Sequence, residues 1–408
     1  MLTRLQDYLQ TAYRLFCMGI LLWLWCAVLI QFFGVMIPRL DHLGINGIAI
    51  DDRPCGSPQC DFSGFWAAGL LARSHQFSEL FDPRAFLQFL YHVFSPEAEM
   101  IRWYYPPTTL LPIAAISYLP FETAFWVWSF CLVAAAAWLL RRARLPYLVI
   151  IVVLLSPAAL WNFELGQLGT VMGACLIYGL FRLAQKRWTG GVALGLLIFK
   201  PQYAILAPIA MLASRNWRCM LACALLAGLI LMLTTSLFGL QVWRIYLTEG
   251  LRVSRYMLQI PPNGHNSEKF GVSVFWMVRS FGGNLYVSYL LQAISSLLSI
   301  LGTWLTWRSR SFNAEMRVAV TVMLTLMVTP YGYTDDMVAW SAVLALSAYR
   351  RQWQLGILDI LFWIWPMLCP IVSERTGLLL TPVVVLLSLL QMIYFAKLPS
   401  LSPARSVA

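Results

Sequence analysis

The chain has 408 residues, of which 60% are apolar and 12% charged, and its mean hydropathy is +0.70. A soluble globular domain carries roughly twice that charged fraction, so the composition excludes one and predicts a polytopic membrane protein. The net charge of +11 would suggest a nucleic-acid partner in a soluble protein. In a membrane protein the distribution of the basic residues matters more, and we expect no nucleic-acid partner.

The first apolar run, Leu15 to Ile37, follows two basic residues, Arg4 and Arg14, as the apolar part of a signal peptide would. At 23 residues the run is too long for a signal peptide, and it lacks a small-residue cleavage site. It therefore predicts a retained first transmembrane helix.

Apolar segments continue along the chain at lengths that suit membrane crossings. They lie near residues 15–37, 110–140, 145–161, 168–185, 189–214, 217–240, 284–307, 316–330, 336–349, 353–371 and 376–396. We expect an all-α polytopic fold of about 11 to 12 transmembrane segments, forming a single domain over residues 1–397 with a cytoplasmic tail over 398–408.

The basic residues predict the orientation of this domain. With the N-terminus inside, most of the 29 basic residues fall at cytoplasmic ends and loops, as the positive-inside rule requires. We expect a multi-pass protein of the bacterial plasma (inner) membrane, with both termini in the cytoplasm and its polar clusters facing the periplasm.

Residues 38–109 form an outer loop that is too long for a simple connection and should fold. Asp61 opens its first predicted helix, which we expect to be amphipathic and to lie along the membrane surface with Asp61 as N-cap. The alternative is that Asp61 is a helix cap and nothing more. Asp82-Pro83 predicts a second short helix, extending to about Tyr91. The apolar face of the first helix consists of Phe62, Phe65, Trp66, Gly69 and Leu70.

Seven of the nine cysteines lie in apolar segments or at their ends, where a free thiol packs as a small apolar group. Cys55 and Cys60 instead flank a turn-rich stretch immediately before Asp61. In an oxidising periplasm they could close a small disulfide ring, although the pair could also bind a metal with partners elsewhere.

The segment 189–214 has basic residues at both ends, so a single crossing would leave one basic pair outside. Pro201 near its centre breaks a helix, and two half-length helices could rise to mid-membrane and return. This broken hairpin would leave Lys200 at the floor of a cavity, where an anionic partner is expected. That partner could be a ligand or a salt bridge, for instance to Glu164, which is itself either a site residue or part of an ordinary interfacial turn.

The second outer loop, 241–283, is rich in basic residues and would suit a negatively charged ligand or lipid head groups. Asp335 and Asp336 lie on the same predicted face. A one-sided set of polar groups under folded outer loops favours a membrane transferase. A transporter or flippase of a lipid-linked sugar or other anionic solute is the alternative.

Several short motifs, taken in order, resemble glycosyltransferase family 87 over about residues 20–345. That family has the GT-C architecture and includes polyprenyl-phosphate-mannose-dependent mannosyltransferases. The motifs are Asp61-Phe62, Leu80-Phe81-Asp82-Pro83, Tyr105-Pro106-Pro107, Gly166-Gln167, Gly190-Gly191, Lys200-Pro201-Gln202 and Asn266-Ser267.

The resemblance implies a polyprenyl-phosphate sugar as donor, with mannose as the favoured sugar, and a glycolipid or glycan hydroxyl as acceptor. It implies Asp61 as the general base of an inverting displacement, and Lys200, with Arg102 or His265, as the donor phosphate site. Membrane lipids are further partners. The residues expected to contact the sugar or the acceptor are Glu164, Gln167, Gln202, Tyr105, Asn266, Ser267 and Asp335.

This scheme needs no cofactor and no metal. The acidic pairs Asp335-Asp336 and Asp51-Asp52 could each hold a metal ion, but such pairs are more often solvated loop residues.

Overall fold

The computed structural model describes residues 2–40, 60–94, 101–260 and 267–397. These residues are almost entirely helical and contain no strand, only an isolated bridge between Gly271 and Tyr333. The predicted all-α class is confirmed.

The first nine helices cover the N-terminal half of the chain. They are α1 Leu2–Leu40, α2 Cys60–Arg73, α3 Phe77–Phe81, α4 Pro83–Val93, α5 Leu110–Ile116, α6 Phe121–Arg142, α7 Tyr147–Leu154, α8 Pro157–Leu165 and α9 Gly169–Ala184.

Ten more helices follow. They are α10 Thr189–Gly195, α11 Ala207–Ala213, α12 Trp217–Ile245, α13 Leu251–Gln259, α14 Val274–Ser280, α15 Leu285–Arg308, α16 Ala314–Met327, α17 Val338–Arg350, α18 Ile357–Thr376 and α19 Thr381–Lys397.

Helices long and apolar enough to cross a membrane number five within the described residues, or six if α7 and α8, bent by 52°, form one span. The remaining predicted spans correspond to shorter apolar helices of 10–17 residues or to broken segments. The count of 11 to 12 spans and the GT-C architecture therefore stay predictions. The five are Tyr8–Ile37, Phe121–Arg142, Trp217–Gln259, Leu285–Arg308 and Ile357–Thr376.

Helices α12 and α15 lie at the outer surface of the protein. Both helices expose large apolar side chains along much of their length, among them Leu225 and Leu297. In contrast, α9 is buried over nearly its whole length and packs against α6, α10, α16 and α17. The described helices surround α9, and α12 and α15 present the apolar outer surface expected of a membrane protein.

The broken hairpin predicted over 189–214 is present. Helix α10 ends in a 3₁₀ turn, Lys200 adopts an extended conformation (φ −139°, ψ 79°), and the chain resumes after Pro201. Lys186 Nζ donates a hydrogen bond to the backbone carbonyl of Ser214, so the two ends of the segment lie side by side. The segment therefore folds back on itself with Lys200 between its two halves, and its re-entrant position in a membrane stays a prediction.

The prediction that the Asp61 helix is amphipathic, with one apolar face, is wrong, whereas its position along a membrane surface stays a prediction. In α2, Ala67, Ala68, Leu71 and Ala72 are buried as well as the expected apolar face, and α2 packs against α3, α4, α5, α6 and α8. Small alanine side chains let neighbouring helices approach on several sides, so α2 belongs to the protein core. The second predicted helix is confirmed as α4, where Asp82 Oδ1 accepts hydrogen bonds from the backbone nitrogens of Arg84 and Ala85.

Candidate active site

Asp61 lies in the first turn of α2, which begins at Cys60, so the predicted N-cap position is wrong. Its carboxylate Oδ2 accepts a hydrogen bond of 2.9 Å from Gln167 Nε2. The Asp61 side chain is therefore bound to the connection between α8 and α9, which is distant in sequence. The side chain makes a tertiary contact and does not serve to bond the free backbone groups at the start of its own helix.

Gln167 joins Asp61 to the segment that returns from the first outer loop. Tyr105 donates its hydroxyl proton to Gln167 Oε1 at 3.1 Å, which completes a chain Tyr105–Gln167–Asp61. Gly166 precedes Gln167 in the left-handed region (φ 68°), and a Cβ there would lie 2.8 Å from Phe62 Cβ. Only glycine fits this close turn, which directs Gln167 toward Asp61.

Lys200 is 3% exposed and forms ion pairs with two consecutive carboxylates. Its Nζ lies 2.5 Å from Asp335 Oδ2 and 2.6 Å from Asp336 Oδ1. The predicted anionic partner is present, but the suggested partner Glu164 is wrong. Asp336 is also held by the chain itself, since its Oδ2 accepts a hydrogen bond from the Tyr333 backbone nitrogen.

Residues of α8 and α9 contact the backbone of this carboxylate pair. Asn162 Nδ2 donates to the backbone carbonyl of Asp335 at 2.8 Å and to that of Ala158 at 2.9 Å. A Cβ at Gly169 would lie 2.1 Å from the Asp335 carbonyl oxygen. The two helices whose connection orients Asp61 through Gln167 therefore also position Asp335.

Two threonines fix the backbone just before Lys200. Thr108 Oγ1 donates to the carbonyl of Ile198 at 3.1 Å, and Thr109 Oγ1 donates to that of Phe199 at 2.8 Å. The unwound tip of a broken hairpin has carbonyls without helical partners, and these hydroxyls satisfy them. The segment that carries Tyr105 thus also holds the tip that carries Lys200.

The electrostatics of Asp61 are dominated by burial, which raises its pKa to about 6. The Gln167 hydrogen bond opposes this rise in pKa, the negative charge of Asp335 adds to it, and the positive charge of Lys200 reduces it. Asp61 and the Lys200 cluster therefore share one electrostatic environment. Burial also raises the pKa of Tyr105, so its phenol stays protonated and can donate.

Other predicted site residues lie apart from this arrangement or outside the described residues. Arg102 contacts Met257 Sδ at 3.8 Å and the ring of Tyr256 at 5.7 Å, away from Lys200. His265 and Asn266 lie outside the described residues, and Ser267 begins a short 3₁₀ segment. Cys55 also lies outside them, as does any pairing with Cys60, so the disulfide stays a prediction.

Glu164 and Gln202 border the site without joining its hydrogen-bond chain. Glu164 is 8% exposed, and within the described residues its carboxylate has no hydrogen-bond or ion-pair partner. Gln202 follows Lys200-Pro201 and lines a small cavity with Tyr203 and Asp336. The described residues contain no group of three or more histidine, cysteine or acidic side chains that could hold a metal ion.

Sequence reasoning missed the roles of Asp336 and Asn162. Asp336 carried a usable signal, because a buried lysine requires counter-charge and two consecutive acids between apolar segments can supply it. Asn162 carried a weaker one as an amide near the end of an apolar segment. Its partner is a backbone carbonyl 173 positions away, which no local pattern specifies.

No curated protein and no solved structure matches the chain. One family model does match, that of glycosyltransferase family 87, over residues 103–330. The match includes Tyr105, Gln167 and Lys200 and excludes Asp61 and Asp335, so it is shorter than the resemblance read from the motifs. Since it covers more than half of a chain whose apolar helices place it in a membrane, the protein is a membrane glycosyltransferase and belongs to glycosyltransferase family 87.

Proposed function

We propose that the protein transfers a sugar, most of all mannose, from a polyprenyl-phosphate donor to a hydroxyl of a glycolipid or glycan at the periplasmic face of a bacterial inner membrane. The observation that carries this proposal is the Asp61 carboxylate, oriented by Gln167 in the same electrostatic environment as the Lys200 cluster. A base and a cation in one low-dielectric site suit an inverting displacement in which a phosphate leaves.

Asp61 is the proposed general base. Its pKa of about 6 lies near the operating pH, where a base is ionised yet still has affinity for a proton. As the acceptor oxygen bonds to the anomeric carbon, the bond from that carbon to the phosphate oxygen breaks. The acceptor proton passes to Asp61, and polyprenyl phosphate leaves with the bonding electrons.

Lys200 is the proposed ligand of the leaving phosphate, and donor binding requires an exchange of its partners. Two carboxylates already outweigh its single positive charge, so an additional phosphate would be repelled unless one carboxylate turns away. The Asp336 carboxylate is tethered by the Tyr333 nitrogen, whereas the Asp335 carboxylate bonds to Lys200 alone within the described residues. Asp335 is therefore the partner that the phosphate replaces.

Glu164, Gln202, Asn266 and Ser267 remain proposed contacts of the sugar or the acceptor, and Arg102 and His265 remain proposed contacts of the phosphate. Glu164 has the strongest chemical case among them, because a buried carboxylate without a protein partner is costly and can accept hydrogen bonds from sugar hydroxyls. No cofactor or metal is part of the proposed reaction.

The test uses purified full-length protein in lipid vesicles with a panel of radiolabelled polyprenyl-phosphate sugars and a membrane extract as the source of acceptors. We expect label to move from polyprenyl-phosphate mannose to a glycolipid or glycan, with much less transfer in Asp61→Asn. Transfer from the arabinose donor alone would revise the sugar. Movement of intact donor across sealed vesicles, without transfer, would support the transporter alternative and contradict the proposal.

A further inference from the structure

Both ends of the Gln167 side chain are engaged by protein, which is unexpected for a residue predicted to bind sugar. Its amide nitrogen lies 2.9 Å from Asp61 Oδ2 and its amide oxygen 3.1 Å from the Tyr105 hydroxyl. The side chain is also 8% exposed. A sugar hydroxyl would have to displace one of these two hydrogen bonds to reach it.

We infer that Gln167 is a positioning residue which, anchored by Tyr105, holds Asp61 Oδ2 and leaves Oδ1 as the oxygen that takes the acceptor proton. The inference deepens the proposed function and rests on its assignment of Asp61 as base. It replaces the predicted sugar-binding roles of Gln167 and Tyr105 with the orientation of the reacting carboxylate.

The donor and acceptor roles along the hydrogen-bond chain follow from the Asp61 carboxylate at its end. An ionised carboxylate can only accept hydrogen bonds, so the Gln167 amide must present its nitrogen to Asp61. Its oxygen then faces Tyr105, whose hydroxyl must donate. Each member thus fixes the orientation of the next, and reversing the amide would place its oxygen against the Asp61 carboxylate and break that hydrogen bond.

Packing and a backbone hydrogen bond restrict movement of Tyr105 and Gln167. The Tyr105 ring contacts Phe65 at 5.1 Å between centroids, Trp103 at 5.2 Å and Tyr104 at 5.3 Å. The Gln167 backbone nitrogen donates to the Asn162 carbonyl at 2.9 Å. The carboxylate is therefore oriented before any substrate arrives, which lowers the entropic cost of proton transfer.

Charged and titratable groups around Asp61 determine how it responds to loss of this chain. Asp335 disfavours ionisation of Asp61 and Lys200 favours it, while Tyr104 and Tyr105 are the titratable phenols whose pKa values its charge raises. The Gln167 hydrogen bond favours the ionised form, so removing it raises the proton affinity of Asp61.

Gln167→Met tests the inference because it keeps side-chain length and removes both hydrogen bonds. The acid limb is the fall of kcat/KM at low pH as Asp61 becomes protonated. We expect it to move up by about one to two pH units, which is the worth of one hydrogen bond to a charged group. We also expect kcat to fall by up to about 100-fold, with the affinity for polyprenyl phosphate unchanged. Tyr105→Phe should shift the limb in the same direction by less. Gln185→Met, at an exposed glutamine, should change none of these quantities.

A second readout keeps the test independent of catalysis and of the folding of one variant. Infrared titration follows the carboxyl band of Asp61, identified by its loss in Asp61→Asn, and should show a rise in pKa in Gln167→Met and a smaller rise in Tyr105→Phe. An unchanged pKa in both variants would overturn the inference, as would weaker donor affinity with an unmoved acid limb, the signature of a sugar-binding amide. If the wild type transfers no sugar, the proposed function fails while the infrared titration still decides whether Gln167 controls Asp61.

Discussion

The two charged centres of the site differ in how completely the protein satisfies them. Asp61 is half-buried and, among the residues that the structure describes, has one neutral hydrogen bond, to a single carboxylate oxygen. Lys200 is 3% exposed and is bound by two carboxylates. The difference indicates that the reacting group is kept oriented and available, whereas the binding group is kept neutralised until a ligand exchanges for one of its partners.

Both centres nevertheless depend on one support, the connection between α8 and α9. Gln167 reaches Asp61 from this connection, while Asn162 in α8 and Gly169 at the start of α9 both lie against the Asp335 carbonyl. This support contacts the carboxylate of Asp61 but only the backbone of Asp335. It can therefore hold the distance between the base and the cation while leaving the Asp335 carboxylate able to turn.

The largest effect is expected from Lys200→Met, which leaves two buried carboxylates without their cation. The free energy of unfolding should fall by about 3–5 kcal/mol, the usual cost of removing one partner from a buried ion pair. Affinity for polyprenyl phosphate should also be lost. Thermal unfolding and lipid-phosphate binding of the detergent-solubilised protein measure the two effects.

Two comparisons separate the structural and binding roles of Lys200. Lys186→Met, at an exposed lysine beside the same hairpin, should have a much smaller effect on stability and none on binding. Lys200→Met combined with Asp335→Asn and Asp336→Asn removes the charge imbalance and should recover much of the stability without recovering binding. Binding that returned with stability would show that Lys200 is structural only.

The pH dependence of transfer should follow Asp61, whose pKa is raised by burial to about 6. Because a protonated carboxyl cannot accept the acceptor proton, kcat/KM should fall as pH decreases through that value, by about tenfold per pH unit below it. The residual rate of Asp61→Asn should lack this limb. An acid limb that persists in Asp61→Asn would belong to another group.

Gly166→Ala tests the support of Asp61 without changing a charged group. The new Cβ would lie 2.8 Å from Phe62 in a left-handed conformation that alanine rarely adopts. We expect a loss of about 1–3 kcal/mol in stability and a reduced transfer rate, because Gln167 must move. Gly377 is left-handed too (φ 73°) but has open space around it, so Gly377→Ala should cost less and leave transfer unchanged. Equal costs for the two variants would mean that contact with Phe62 is unimportant.

The smallest effect should come from Thr109→Val, which keeps the shape of the side chain and removes the hydroxyl that bonds the Phe199 carbonyl. One unpaired buried carbonyl should cost about 1 kcal/mol of stability and weaken polyprenyl-phosphate binding by less than about tenfold, with the acid limb unmoved. Thr248→Val, at an exposed hydroxyl that bonds the carbonyls of Arg244 and Ile245 at the end of α12, is the control for both quantities. A shifted acid limb in Thr109→Val would show that the two centres are not separable.

The sequence predicted the features of this site that depend on local chemistry. The break at Pro201 follows from what proline does to a helix, and the need for a counter-charge at Lys200 follows from the cost of a buried ammonium. The cap at Asp82 follows from the preference of helix starts for aspartate. Each of these predictions required only the neighbouring residues in the sequence and whether they lie in water or in a membrane.

What the sequence could not specify was which distant groups meet. Asp335 and Asp336 lie 135 and 136 positions beyond Lys200, and Gln167 lies 106 positions beyond Asp61. The helical spacing after Asp61 correctly predicted α2, but a single apolar stripe suggested a membrane surface. The alanines on its other faces, which allow close packing on several sides, were indistinguishable from a weakly polar face.

Single-turnover transfer from radiolabelled polyprenyl-phosphate mannose by Asp61→Asn, with donor binding measured in the same preparation, tests the account most directly. Asparagine can still accept the Gln167 hydrogen bond through its side-chain oxygen, so the site should persist while the base is lost. The predicted result is a rate lower by about two to four orders of magnitude with donor binding unchanged. A rate near that of the wild type would contradict the assignment of Asp61 and direct the search for the base to Glu164 or Asp335.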